Sequence, residues 1–275
     1  MNRPQRRRIA IIGGGTAGWM TAALAQQRYA HEDVDIVVVD AASIPPIGVG
    51  EATVPIIDEY MQLLGLDEEQ WMPPSEATYK LGIQFIRWST HPDRRVWFHP
   101  FWSRDDNEPD AEARVERWLA SRGGGGHEPR VDEHYLGSRL SAAHVAPRSR
   151  RPPVHRLIAG QPLAYHLRSH AFAEFLRDRC ITRGVLHRVE EVTAVAVLDG
   201  DAGIDHLETS SGRIEADLFI DCTGFRRLLL GKLGPGHRSY ADELLCNRAC
   251  VAVVGHDGTR LANYTTIHAM RAGWR

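Results

Sequence analysis

No run in this chain reaches the roughly 18 consecutive apolar residues that a membrane-spanning helix requires, so no membrane partner is expected. The apolar stretch behind Arg6, Arg7 and Arg8 is only Ile9 to Ile12 before three glycines interrupt it. That is too short for the core of a signal peptide, and a cytoplasmic location is the expectation. Excess charge of either sign is lacking as well. The 33 Lys+Arg stand against 35 Asp+Glu, a formal net charge of -2, which argues against a nucleic-acid partner. Cysteine is scarce: Cys180, Cys222, Cys246 and Cys250 contain no C-x-x-C pair, and buried free thiols are the expectation for all four. The fourteen histidines show no H-E-x-x-H and no clustered His/Asp spacing. His99, His155, His166 and His170 therefore read as packing or surface residues, and no metal is expected.

What is present is concentrated at the start. Arg8 to Gly13 is a short apolar run ending in glycine, a buried parallel strand. Ala17 to Tyr29, rich in Ala, Leu and Gln, predicts a helix, and Val34 to Asp40 (V-D-I-V-V-V-D) a second buried strand. Gly13, Gly15 and Gly18 satisfy G-x-G-x-x-G between strand and helix, and Asp40 lies 22 residues past Gly18 (40 minus 18). Such glycines permit a sharp turn and let backbone N–H groups approach a pyrophosphate at the positive end of a helix, while the acid accepts hydrogen bonds from an adenosine ribose. FAD and NAD both satisfy these residues.

Ile44 to Pro55 is punctuated by Pro and Gly and reads as a loop, with Thr53 as the cap of a helix running to Leu64 and Gly65 as its stop. Tyr79 to Phe85 alternates, which predicts one half-buried strand with Lys80 on its less apolar face. The acidic stretch 105–116, the glycine run 123–126 and the basic, Pro-rich stretch 148–153 read as loops. Tyr165 to Arg183 places Leu167, Ala171, Phe175 (or Phe172) and Leu176 at helical spacing. From Val185 to Asp221 strand patterns return, with turns at 199–203 and 210–212. The G-D-A at 200–202 therefore reads as a hairpin turn rather than a flavin contact. Ala216 to Gly224 is an apolar strand ending in a small-residue turn, like the strand that closes onto the nucleotide in many FAD enzymes, and it favours FAD.

Taken in order, G-G-G-T-A-G-W-M (13–20), I-G-V-G-E-A-T-V-P (47–55), Y-K-L-G-I-Q-F (79–85), A-Y-H-L (164–167), E-A-D-L-F-I-D (215–221) and D-C-T-G-F (221–225) resemble the flavin-dependent halogenases of the tryptophan halogenase type. The resemblance implies an α/β, Rossmann-like FAD-binding fold: a parallel sheet with inserted β-rich and α segments, as in a truncated flavin monooxygenase. It implies one domain over 1–275, with a dinucleotide-binding unit (1–65), inserted strands and loops (66–164), and a helix and strands returning to the FAD site (165–275). Its chemistry uses FAD supplied reduced by a separate flavin reductase, O2 and a halide ion to make hypohalous acid, which passes through a channel to a small electron-rich aromatic substrate.

Lys80 matches the family lysine that holds or carries the electrophilic halogen. The implied cofactor contacts are Gly13, Gly14, Gly15, Thr16, Ala17, Gly18, Asp40, Ala41, Val192, Thr223 and Gly224, with Gly48, Val49, Gly50, Glu51 and Ala52 in a loop strapped across the flavin. The family continues into a W-x-W-x-I-P motif, and Gly273-Trp274-Arg275 reaches its first tryptophan. The expectation is the N-terminal portion of such an enzyme. The alternatives are a flavin-dependent aromatic monooxygenase and a non-catalytic FAD-binding fragment.

Overall fold

The β-branched stretch Arg7–Ile12 forms strand β1, and the Ala- and Gln-rich run beyond the glycines forms helix α1 (Thr16–Arg28). Strand β2 (Val34–Asp40) completes a βαβ unit, running parallel to β1 with Arg7 opposite Val34 and Ile12 opposite Val39. Next come β3 (Gly50–Ala52), helix α2 (Ile56–Leu63), the four-residue α3 (Glu68–Trp71), and strands β4 (Thr78–Lys80), β5 (Gly82–Ile86) and β6 (Val96–Pro100). Helix α4 (Leu136–Ala142), strand β7 (Ala164–Arg168) and helix α5 (Ser169–Thr182) lead to β8 (Leu186–Val189) and β9 (Val192–Val197). Strands β10 (Ile204–Thr209), β11 (Gly212–Glu215), β12 (Leu218–Asp221), β13 (Thr265–Met270) and β14 (Gly273–Trp274) follow. The structure, a computed structural model, describes residues 6–101 except 42 and 44–49, residues 116, 119, 120 and 135–148, and residues 163–275 except 202, 235, 245, 256, 257 and 259. Apart from Glu116 and Arg148, the loop readings at 105–116, 123–126 and 148–153 fall outside the described residues.

The chain forms two compact units. The first comprises Met1–Gly50, Gln62–Glu76 and Arg168–Asn247, and the second Glu51–Met61, Ala77–Leu167 and Arg248–Arg275.

The first unit is built on a parallel sheet in the order β12-β1-β2-β8. On one face Ala10, Ile12, Val37 and Val39 pack with Leu207, Ile214 and Leu229 into a buried cluster. The other face, with Ile9, Ile11, Ile36 and Val38, lies under α1, which buries Trp19, Ala22 and Ala23 and packs beside α5. Cover on both faces is why β1 and β2 are nearly continuously apolar. Strands β9, β10 and β11 form an antiparallel sheet. Between β9 and β10, Gly200 adopts φ +75° and Leu198 N–H donates to Gly203 at 2.9 Å, so 200–201 sit in a turn, as expected; Ala202 lies outside the described residues. Cys180 is buried on α5. Cys246 and Cys250 are exposed, so the expectation of buried thiols fails for those two.

The expected helix from Tyr165 is shorter than its periodicity implied. Ala164–Arg168 are strand β7, paired antiparallel with β4, and the helix begins at Ser169 with Phe172, Ala173, Leu176 and Cys180 buried. Five residues that suit either period went to the strand because a partner strand was available.

The second unit holds two sheets, β3-β7-β4 and β14-β13-β5-β6. The single strand expected over Tyr79–Phe85 is split at Leu81. Its N–H donates to Asn263 at 2.7 Å and its carbonyl accepts from Phe101 N–H at 2.9 Å, so β4 and β5 enter different sheets. Among the described residues, no helix is long and apolar enough to cross a membrane.

Candidate functional site

In the first unit β1 ends at Ile12, and Gly13 N–H donates to Val39 at 2.8 Å. Gly13 then turns the chain at φ +110°, a conformation costly for other residues. A side chain at Gly13 would overlap the Cys222 carbonyl, and one at Gly18 the Gly13 carbonyl. These two glycines let the helix and β12 crowd against the turn. At Gly14 a side chain would overlap the Asp40 carboxylate. Gly15 differs: a side chain there meets nothing within 4 Å. Its backbone borders open space at the head of α1, where the first N–H groups of a helix lack intrahelical partners and the dipole favours an anion. A pyrophosphate fits that cradle. Thr16 and Ala17 open the helix, and the Thr16 hydroxyl donates to the Ser169 carbonyl at 3.3 Å. Asp40 closes β2 with its carboxylate partly exposed, and the half-buried Ala41 follows.

The turn after β12 abuts the same glycines. Cys222 N–H donates to Ile12 at 2.8 Å, which continues the β1 to β12 pairing to the turn. Beyond it, Asp221 organises Thr223 to Leu230. Its carboxylate accepts from Thr223 N–H (3.0 Å), the Thr223 hydroxyl (2.6 Å), Leu229 N–H (2.9 Å) and Leu230 N–H (2.9 Å). Burial alone would raise the Asp221 carboxyl, but these hydrogen bonds outweigh it and hold the group below the usual carboxylate range. Gly224, at φ +61°, carries the chain into a short 3-10 turn, with Phe225 fully presented to solvent.

The second unit contains Lys80. In the β4 to β7 register Lys80 faces Ala164 and Thr78 faces His166, so all four share one side of the sheet, while Tyr79 and Tyr165 meet on the other with ring centroids 5.8 Å apart. Lys80, expected on the less apolar face of a half-buried strand, is 3% exposed. Its Nζ donates to the carbonyls of Thr53 (2.7 Å) and Ala52 (3.2 Å) and lies 5.2 Å from the centre of the Phe101 ring. No carboxylate pairs with it among the described residues, and burial lowers its pKa. His166 hydrogen-bonds the Thr265 hydroxyl at 2.8 Å. Burial, and then the charge of Lys80, lower its pKa to about 4, so the imidazole is neutral where the lysine is charged.

The expected strap is only partly described: Gly48 and Val49 lie outside the described residues, while Gly50, Glu51 and Ala52 form β3. Thr53 is not a helix cap, since α2 starts at Ile56. Instead its hydroxyl accepts from Tyr165 N–H (2.8 Å) and donates to the Tyr165 carbonyl (3.0 Å), tying this segment to β7. Val192 opens β9 and packs against the cluster under β1 and β2. Gly13, Gly14, Gly18, Asp40 and the 222–223 backbone are thus brought together in one unit, and Ala52 and Lys80 in the other. Sequence reading missed the Asp221 hub, although an Asp two residues before a Thr in a turn signals an Asx-type cap. It also missed Phe101 and the Thr53 carbonyl, which nothing local marks as lysine partners.

The tryptophan halogenase family profile matches residues 8–275. The tryptophan 6-halogenase ThaL of Streptomyces albogriseolus is 36% identical over 287 residues, covering 97% of this chain and 52% of that protein. Among solved structures, the tryptophan 6-halogenase SttH of Streptomyces toxytricini superposes with a TM-score of 0.79 at 34% identity, over 98% of this chain and 53% of its own. BrvH, a flavin-dependent halogenase from Brevundimonas sp. BAL3, gives 0.78 at 31% identity, over 99% and 54%. The chain spans about half the length of these relatives.

Proposed function

Because the chain belongs to the tryptophan halogenase family, we propose that it carries the FAD-binding face and the channel lysine of a flavin-dependent halogenase acting on tryptophan or a related electron-rich aromatic. Gly13 to Gly18 hold the pyrophosphate, with Thr223 and Gly224 beside them, and Asp40 and Ala41 take the adenosine ribose. Gly48 to Ala52 border the flavin, and Val192 is a further cofactor contact. When bound, FAD, delivered reduced by a separate flavin reductase, supplies the electrons that let O2 convert halide to hypohalous acid and water.

Lys80 is the observation that carries the reading. An ammonium has three donors; two are placed on the Ala52 and Thr53 carbonyls, and one remains to hold the oxygen of hypohalous acid and polarise its bond to halogen. Burial strengthens that interaction by excluding water. The link from Lys80 to the Ala52 carbonyl also ties the lysine to the segment assigned to the flavin strap.

The test supplies the chain with a flavin reductase, NADH, FAD, bromide and tryptophan, and follows products by mass spectrometry. Wild type is expected to give a brominated product that Lys80→Ala loses while still binding FAD. Wild type that binds FAD yet forms no brominated product would leave the non-catalytic FAD-binding fragment as the reading, and an oxygenated product would replace the halogenase reading with a monooxygenase.

A further inference from the structure

Asp40 is held from behind by groups outside the glycine fingerprint. Strand β8 runs parallel to β2 with Val38 opposite His187. Side chains alternate along a strand, so His187, Val38 and Asp40 share the face that α1 covers. On that face the His187 ring meets buried Trp19 edge-on, with centroids 5.0 Å apart at 80°. Its Nε2 is buried, has no hydrogen-bond partner among the described residues, and lies 4.0 Å from Oδ2 of Asp40. The same carboxylate occupies the space a side chain would take at Gly14. Asp40 is thus enclosed by Gly14 and His187 while its side chain stays 35% exposed.

An unpartnered buried ring nitrogen beside a carboxylate is costly, and with the proton on Nε2 a small rotation of the Asp40 side chain converts the gap into a charge-assisted hydrogen bond. We propose that His187 is the positioning residue for Asp40: fixed by Trp19 and given room by Gly14, it donates from Nε2 to the inner carboxylate oxygen and so aims the outer oxygen at the ribose hydroxyls of an adenosine nucleotide. This rests on the FAD reading above. Two charged groups act on the imidazole. Burial lowers its pKa, Asp40 on β2 raises it, and Arg177 on α5 lowers it, with a net effect below the ordinary histidine value. The ring is therefore neutral near pH 7 and holds Asp40 without cancelling its charge.

The test titrates the purified chain with FAD and with ADP, which share the adenosine ribose, in three forms: wild type, His187→Phe and His187→Gln. Phenylalanine keeps an edge against Trp19 and removes the donor; glutamine restores an N–H near the Nε2 position. The expected result is about tenfold weaker FAD and ADP binding in H187F, as for loss of one hydrogen bond to a charged group, with most of it recovered in H187Q. Thermal melting of each variant without nucleotide tracks packing separately. If H187F binds ADP like wild type, or H187Q is as weak as H187F, His187 only fills space and the proposal falls alone. If wild type binds neither FAD nor ADP, the FAD reading falls and takes the proposal with it.

Discussion

Lys80 and His166 share one face of β4 and β7, where burial, and then the charge of Lys80, leave the histidine uncharged. That choice has a pH signature. An unfolded histidine titrates near its ordinary value of about 6.5, whereas His166 in the fold titrates at about 4. Between those values the unfolded chain binds more protons, so the folded state loses stability as pH falls from about 6.5 toward 4. His166→Asn removes this titration, and its urea midpoint is expected to fall less than that of wild type between pH 7 and pH 5. Parallel declines would show that His166 is not held neutral. At this scale the sequence was only partly legible. The alternation around Tyr79 pointed Lys80 outward, and only the Y-K-L-G motif marked it. Its burial depends on β7, Thr53 and Phe101, none of which is close to it in sequence.

At the scale of elements, the opening strand, helix and strand were legible because their causes are local: β-branched runs, a helix free of Gly and Pro beyond Gly18, and glycines forced by close backbone approach. The 165–183 stretch misled because Ala164–Arg168 suit a helix on periodicity, and only pairing with β4 decides otherwise. Asp221 shows the same limit in the turn after β12, where one carboxylate serves two backbone N–H groups seven and more residues beyond Cys222. Asp221→Ala leaves those N–H groups and the Thr223 N–H and hydroxyl without their acceptor. It is expected to cost about 2–4 kcal/mol in urea unfolding, several hydrogen bonds to a charged group. Asp221→Asn keeps an acceptor oxygen and is expected to cost less. Equal losses would place the cost in packing rather than in the hydrogen bonds.

At the scale of the molecule, the first unit is assembled from segments far apart in the chain: β12 joins β1 with Ile9 opposite Leu218, and the later turn arrives beside the earlier glycines. The sequence showed that 216–224 resembles a closing strand, but not its register, which is set by the shared apolar cluster under the sheet. This junction is the proposed FAD site, and every role assigned above depends on it. Amide hydrogen exchange followed by mass spectrometry, with and without saturating FAD, tests it most directly. Slower exchange is predicted at residues 13–18 and 222–224, with strands β10 and β11 unchanged. Unaltered exchange at both segments, or protection confined to other parts of the chain, would contradict it.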